Sequence, residues 1–137
     1  MTDINSITFE QCKTDKTGTI YAEWEEDGYK LLIMRGPASL CAYIGVPKGH
    51  PLYGKDYDEV DIDCHGGLTF SGEGSQDTSV YRKPGYWYFG WDYAHFGDVN
   101  FYDDPYMVGW HKWTPKEVYL EMEPALGSLT KRYKNDR

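Results

Sequence analysis

The chain is poor in cysteine, has no long apolar run and has no basic stripe. Its three cysteines, Cys12, Cys41 and Cys64, are an odd number and form no Cys-x-x-Cys pair. That excludes a disulfide framework and a thiolate zinc site. It predicts reduced, mostly buried thiols in a cytosolic setting. No apolar stretch approaches the roughly 20 residues a bilayer demands. Residues 1–11 carry no basic segment followed by an apolar core, so a cytoplasmic location without membrane contact is expected. Lys plus Arg number 14 against 22 Asp plus Glu, a net charge of -8. The only basic run, Lys131-Arg132-Tyr133-Lys134, is too short to follow a phosphate backbone, which argues against direct nucleic-acid binding. Gly-x-Ser-x-Gly, P-loop and His-Glu-x-x-His motifs are all missing. Asp56, Asp58, Asp61 and Asp63 suggest calcium, but the glycine and glutamate of an EF-hand loop are not where that loop needs them. A solvated acidic edge is the reading that remains.

Aromatic residues are plentiful: 17% of the 137 residues, with 13 Tyr and 5 Trp. They can build a core, a stacking surface, or both. The length suits one domain, 1–137, with a sizeable core.

Alternation of apolar and polar residues predicts strands over 7–12, 19–25, 29–34 and 40–46. A turn is expected at 13–18, and Asp27-Gly28 signals a two-residue hairpin. Over 60–65 the apolar residues Val60, Ile62 and Cys64 fall on one strand face, and Asp61, Asp63 and His65 on the other. A strand resumes at 68–71, a polar loop follows at 72–79, and 82–85 reads as a turn. Residues 86–93 form the clearest central strand. Trp87, Phe89 and Trp91 share its core face, and Tyr88, Gly90 and Asp92 the other. Thr114-Pro115-Lys116-Glu117 is a capping box with proline at the first helical position. Val118, Met122, Ala125, Leu126 and Leu129 continue it at helical spacing. Pro124 should kink or split this helix. The expected fold is α+β: a twisted, mainly antiparallel sheet with the C-terminal helix packed on one face.

Two segments concentrate the chemistry, Cys64-His65-Gly66-Gly67-Leu68-Thr69-Phe70 and Gly90-Trp91-Asp92-Tyr93-Ala94-His95-Phe96-Gly97-Asp98. Asp92 ends a strand, and His95 and Asp98 sit on the loop beyond it, where functional groups commonly gather. Asp63 on the face of His65 could orient its imidazole. Gly66 and Gly67 leave backbone N–H groups open to an anion or carbonyl. His50 and Tyr53 could add a wall to the same pocket, whereas His111, between Trp110 and Trp113, reads as packing or surface. The candidate ligand-binding set is therefore His50, Tyr53, His65, Gly66, Gly67, Thr69, Tyr88, Asp92, His95 and Asp98. His65, His95 and Asp98 are candidates for catalysis. No cofactor is expected. The alternative is a divalent metal held by His65, Asp92 and His95, with Asp98 or Asp63 as base.

Three segments, Tyr43-Ile44-Gly45-Val46-Pro47-Lys48-Gly49-His50-Pro51-Leu52-Tyr53-Gly54-Lys55, His65-Gly66-Gly67-Leu68-Thr69 and the 90–98 segment, together resemble a group of small uncharacterised proteins encoded by bacteriophages and bacterial genomes. The resemblance implies a phage or prophage setting, hence the host cytoplasm, and supplies no activity. In that setting three functions compete. One is a pocket for a small polar molecule such as a nucleotide-derived host defence signal, with Tyr53 and Tyr88 stacking on its ring. The second is a metal-dependent hydrolase of a nucleotide-like substrate. The third is an acidic inhibitor that binds a host defence or nucleic-acid-binding protein. A homo-oligomer is compatible with each.

Overall fold

The computed structural model describes residues 3–75 and 82–133. Five strands form an open antiparallel sheet: β1 (Ile20–Glu26), β2 (Tyr29–Arg35), β3 (Leu40–Pro47), β4 (Phe70–Ser75) and β5 (Arg82–Asp92), in the order β1-β2-β3-β5-β4. A short helix, α1 (Phe9–Thr14), precedes them and a long one, α2 (Pro115–Arg132), follows. The fold is α+β, with α2 against one face of the sheet through β2 and β3.

The hairpin between β1 and β2 turns at Asp27 and Gly28, both at positive φ (54° and 88°), the conformation a two-residue hairpin requires. Thr114 caps α2 reciprocally with Glu117. Val118, Met122, Ala125, Leu126 and Leu129 are all buried on its inner face. Each of these side chains larger than alanine contributes about 1.5–3 kcal/mol when fully buried. Pro124 lies inside α2 without splitting it.

Several expected elements take a different form. The predicted strand over 7–12 is instead the helix α1, capped by the Thr8 side chain, with Phe9 and Cys12 on its buried face. Over six residues, apolar spacings of two and of three are hard to tell apart. The turn expected at 13–18 is shortened accordingly, because Lys13 and Thr14 complete that helix. β1 has a register shift between Ile20 and Ala22, which breaks the simple alternation and leaves Ile20 exposed. The 82–85 turn is part of β5. There β5 extends past its last partner in β3, Pro47 opposite Tyr86, and its ladder with β4 is irregular, so Pro84 interrupts little pairing. Of the loop predicted at 72–79, residues 72–75 belong to β4, and 76–79 lie outside the described residues.

Residues 60–63 are extended as expected, with Val60 and Ile62 buried, but they join no strand. They run beside the last turns of α2 instead. The Asp61 N–H donates to the Tyr133 hydroxyl at 2.9 Å and the Asp63 N–H to Ser128 Oγ at 3.0 Å. Side chains at the end of the helix thus do for this segment what a neighbouring strand would have done.

The two faces of the sheet carry different cores. The larger one unites α1, α2 and the inner face, including Phe89, Trp91 and Tyr93. A smaller one on the opposite face holds Leu32, Met34, Tyr43 and Tyr88.

Candidate functional site

Two reverse turns of similar design build the site. Residues 64–67 close with the Gly67 N–H donating to the Cys64 carbonyl at 3.1 Å, and residues 95–98 with the Asp98 N–H donating to the His95 carbonyl at 2.8 Å. The third position of each is a glycine at positive φ, Gly66 at 70° and Gly97 at 95°. A type II turn needs that conformation there. The first turn presents His65, and the second presents His95 and Asp98. The turns meet where the His95 ring lies over Gly66, so close that a Cβ on Gly66 would fall 2.3 Å from His95 Cε1. This contact explains why glycine follows His65.

Asp98 is the hub. It is only 4% exposed. Its Oδ2 accepts from His65 Nε2 at 2.7 Å and from the His95 backbone N–H at 3.0 Å, while Oδ1 accepts from Trp113 Nε1 at 2.8 Å. Burial pushes its carboxyl up, but these donors outweigh that and hold it below the usual carboxylate range. An ionised carboxylate can only accept, so His65 carries its proton on Nε2. The His65 ring stacks on Tyr93 with centroids 4.5 Å apart and meets the edge of Trp113 at 5.0 Å. Tyr93 in turn donates to Glu121 of α2 at 2.7 Å. Burial is the main force raising the Tyr93 phenol, so it keeps its proton and stays a donor.

His95 Nδ1 is buried and has no hydrogen-bond partner. It faces two carboxylate oxygens, Asp98 Oδ2 at 3.6 Å and Asp92 Oδ1 at 3.7 Å. Asp92 also accepts from the Ala94 N–H at 3.1 Å and from Thr69 Oγ1 at 3.4 Å. One ligand atom each from His65, His95 and Asp98 lies within 4.8 Å of the others, a grouping able to hold a metal ion. A shallow cleft of about 220 Å³ opens beside His65, lined by Asp63, Cys64, Glu121 and Pro124. Burial, with Asp63 nearby, pushes the Cys64 thiol up to about 12, which leaves it inert at neutral pH.

His65, Gly66, Thr69, Asp92, His95 and Asp98 therefore converge, and Gly67 closes the first turn. His50, Tyr53 and Tyr88 take other roles. Tyr88 is fully buried in the smaller core on the opposite face, so it offers no stacking surface. Tyr53 leans on Trp87 at 5.9 Å. His50 is 3% exposed. Its Nδ1 accepts from the Leu52 N–H at 3.1 Å, so its proton is on Nε2, which meets the Tyr29 hydroxyl at 2.9 Å. Asp63 does not orient His65. It pairs with Arg132, as does Asp61, and Asp98 takes the orienting role. Asp56 caps a 3-10 turn, so these acidic residues act locally and in ion pairs. His111 reaches Glu117 at 2.8 Å at the surface. Trp113, Tyr93 and Glu121 are not legible as partners in the sequence, because nothing local links them to His65, 28 and more residues away.

A larger concavity, about 1180 Å³, lies elsewhere, between the β1 edge, the N-terminal segment and the start of α2. It contains no histidine and none of the cluster residues. The smaller cleft is the one that His65 lines.

His50 makes a pH prediction. Burial lowers its pKa below the ordinary value, against a smaller opposing pull from the Tyr133 backbone. The unfolded chain therefore takes up this proton first. The stability it contributes is whole above the unfolded value of about 6.5 and is lost as pH falls from there toward the folded value. The urea midpoint should drop between pH 7 and pH 5, and the His50→Gln variant should show a flatter profile over that interval. Parallel profiles would contradict the assignment.

No helix among the described residues is long and apolar enough to cross a membrane. Comparison of the chain with protein-family models, with curated proteins and with solved structures finds no match.

Proposed function

We propose that the His65–His95–Asp98 cluster, with Asp92 beside it, is a divalent transition-metal centre and that the protein is a metal-dependent hydrolase of a nucleotide-like substrate. The observation that carries this is the buried, unbonded His95 Nδ1 facing two carboxylate oxygens at 3.6 and 3.7 Å. Those gaps are too long for hydrogen bonds. They approach the edge of a tetrahedron around zinc, about 3.3–3.4 Å for metal–ligand bonds of about 2.0–2.1 Å. Two imidazoles and carboxylate oxygen suit zinc, manganese or iron. Trp113 and the His95 backbone already orient Asp98 in the way a second shell holds a ligand. The pair His65 Nε2–Asp98 Oδ2, at 2.7 Å, is still a hydrogen bond. Metal binding would release the Nε2 proton and widen that gap.

A centre with so few protein ligands leaves room for water, whose pKa a metal lowers toward neutrality. The acidic surroundings would repel a phosphate unless the ion offset them. The metal reading therefore gains over a metal-free pocket, which also loses Tyr88 as a wall. The setting we attach is that of a phage accessory protein, following the motif resemblance, with a host signalling nucleotide as the kind of molecule acted on.

Titration of chelator-stripped protein with Zn²⁺ or Mn²⁺, followed by calorimetry and native mass spectrometry, tests the reading. One ion per chain should bind, with proton release, and His95→Gln should abolish it. Absence of stoichiometric binding of either ion near neutral pH would refute it.

A further inference from the structure

β1 ends the sheet, so among the described residues no strand lies on its outer side. In an antiparallel ladder every second residue turns its N–H and C=O away from the partner strand. Half the backbone groups of β1 therefore point away from β2, open to another chain. Such an edge is a template for strand pairing. The same edge lines the concavity of about 1180 Å³, along the successive residues Thr19 to Trp24. Small-molecule pockets span about 300–1,000 Å³. This one is larger, and it follows a strand. Its floor is apolar. Tyr21, Ala22 and Trp24 pack against the larger core, and Ile4 and Ile7 close the N-terminal side. Trp24 rests on Tyr119 of α2 with ring centroids 5.2 Å apart.

Charge says which chain fits. Past the bulge the strand alternates: Ala22 and Trp24 are half-buried, and Glu23 and Glu25 are exposed. Lys30 lies 3.7 Å from Glu23 and 3.8 Å from Glu25, and Lys83 lies 3.8 Å from Glu25, so these carboxylates share loose cation contacts. The charged residues lining the groove are Asp3, Asp15 and Glu23 against Lys116. At the far end of β1, a hydrogen bond and charge contact with Glu26 push the exposed Glu123 carboxyl up, a mark of surplus negative charge. A second copy of this chain fits badly. Two β1 strands paired antiparallel about Trp24 would set Glu23 against Glu25 twice, and like charges directly opposite destabilise a pair.

We propose that the β1 edge and its groove take an extended segment of another protein as a sixth strand, with Lys or Arg at every second position and apolar side chains between. Opposite residues of paired strands share a face, so the cations meet Glu23 and Glu25 while the apolar side chains enter the groove beside Ala22 and Trp24. Main-chain bonds to the edge supply affinity, and the alternate side chains supply specificity. The carboxylates that keep two copies apart thus select the guest. This surface stands apart from the metal centre and does not depend on it.

NMR titration of the full chain, without added metal, with end-blocked eight-residue peptides tests this. A peptide alternating lysine and valine should bind, protect β1 amides from hydrogen exchange and shift the Trp24 indole N–H resonance. A peptide alternating glutamate and valine should bind at least about tenfold more weakly. The fully N-methylated lysine–valine peptide keeps the charges but has no N–H to donate, and it should lose binding as well. Glu23→Gln combined with Glu25→Gln, at exposed positions that spare the fold, should weaken the lysine–valine peptide about five- to tenfold. No binding at millimolar peptide would overturn the proposal. Equal affinity for the acidic or the N-methylated peptide would do the same, as would resonance shifts that leave β1 and its groove untouched. A dimer in sedimentation joined through β1 would also overturn it, because the edge would then take a second copy of the chain.

Discussion

Asp98→Ala is expected to destabilise the protein by about 3–5 kcal/mol, the range for breaking a buried, charge-assisted network from one side. The carboxylate is 4% exposed and accepts from His65, from the His95 backbone and from Trp113. Alanine removes the acceptor for all of these at once. Each buried donor left without a partner costs about 1–3 kcal/mol, and water entering the gap recovers only part of that. The fall in Tm should be on the order of 10–20 °C for a domain this size. Metal binding should vanish with it. Asp98→Asn keeps the shape and one carbonyl oxygen but turns an N–H pair toward groups that also donate, so it should fall between alanine and the wild type. A loss below about 1 kcal/mol for alanine would mean that the hub is not the closed network described.

Gly66→Ala should weaken metal binding by more than tenfold while the fold survives. A Cβ at Gly66 would lie 2.3–2.7 Å from three atoms of the His95 imidazole. The ring must swing away, and with it the one nitrogen that faces both carboxylates. The positive φ of 70° adds backbone strain, about 1–2 kcal/mol for an L side chain in that region. Gly67→Ala separates the two effects. Its φ is 82° and a Cβ there meets nothing within 4 Å. It should share the strain but keep the metal affinity. If both alanine variants bind metal equally well, the position of His95 does not govern the site.

The parts of this molecule that were readable from residues alone are those in which neighbours along the chain decide the structure. Asp27-Gly28 encodes its own turn, and Thr114 to Glu117 encode the start of α2. The apolar stripe from Val118 to Leu129 shows which side of that helix is buried. Misreadings arose where short patterns are ambiguous or where distant partners take over. Residues 7–12 can alternate as a strand or cluster as a helix, and packing of Phe9 and Cys12 chose the helix. Pro84-Gly85 looks like a turn, yet β5 runs on through it, paired with β4 at Trp87 on one side and at Arg82 on the other. At the site, the conjunction of His65, Asp92, His95 and Asp98 was legible as a cluster of the right residue types. The identity of the hub was not. Alternation assigned Asp63 to His65 because the two are neighbours on one face, whereas the actual partner is 33 residues away. Tyr88 was correctly placed on the opposite side of β5 from the core, but that side proved to have a core of its own.

The extended stretch just before His65 ties the history of the site to the end of the chain. Its hydrogen bonds to Ser128 and Tyr133 span 65 and 72 residues. Contacts of such span form only after the loop between them has been closed, which makes them entropically slow. The sheet can zip from its local hairpins, β1 with β2 and β2 with β3, before the C-terminal helix arrives. His65 is then expected to take its place only once that helix has docked. Occupancy of the proposed metal centre during refolding would therefore time the last step of assembly, and a chain halted before its final helix would lack the site.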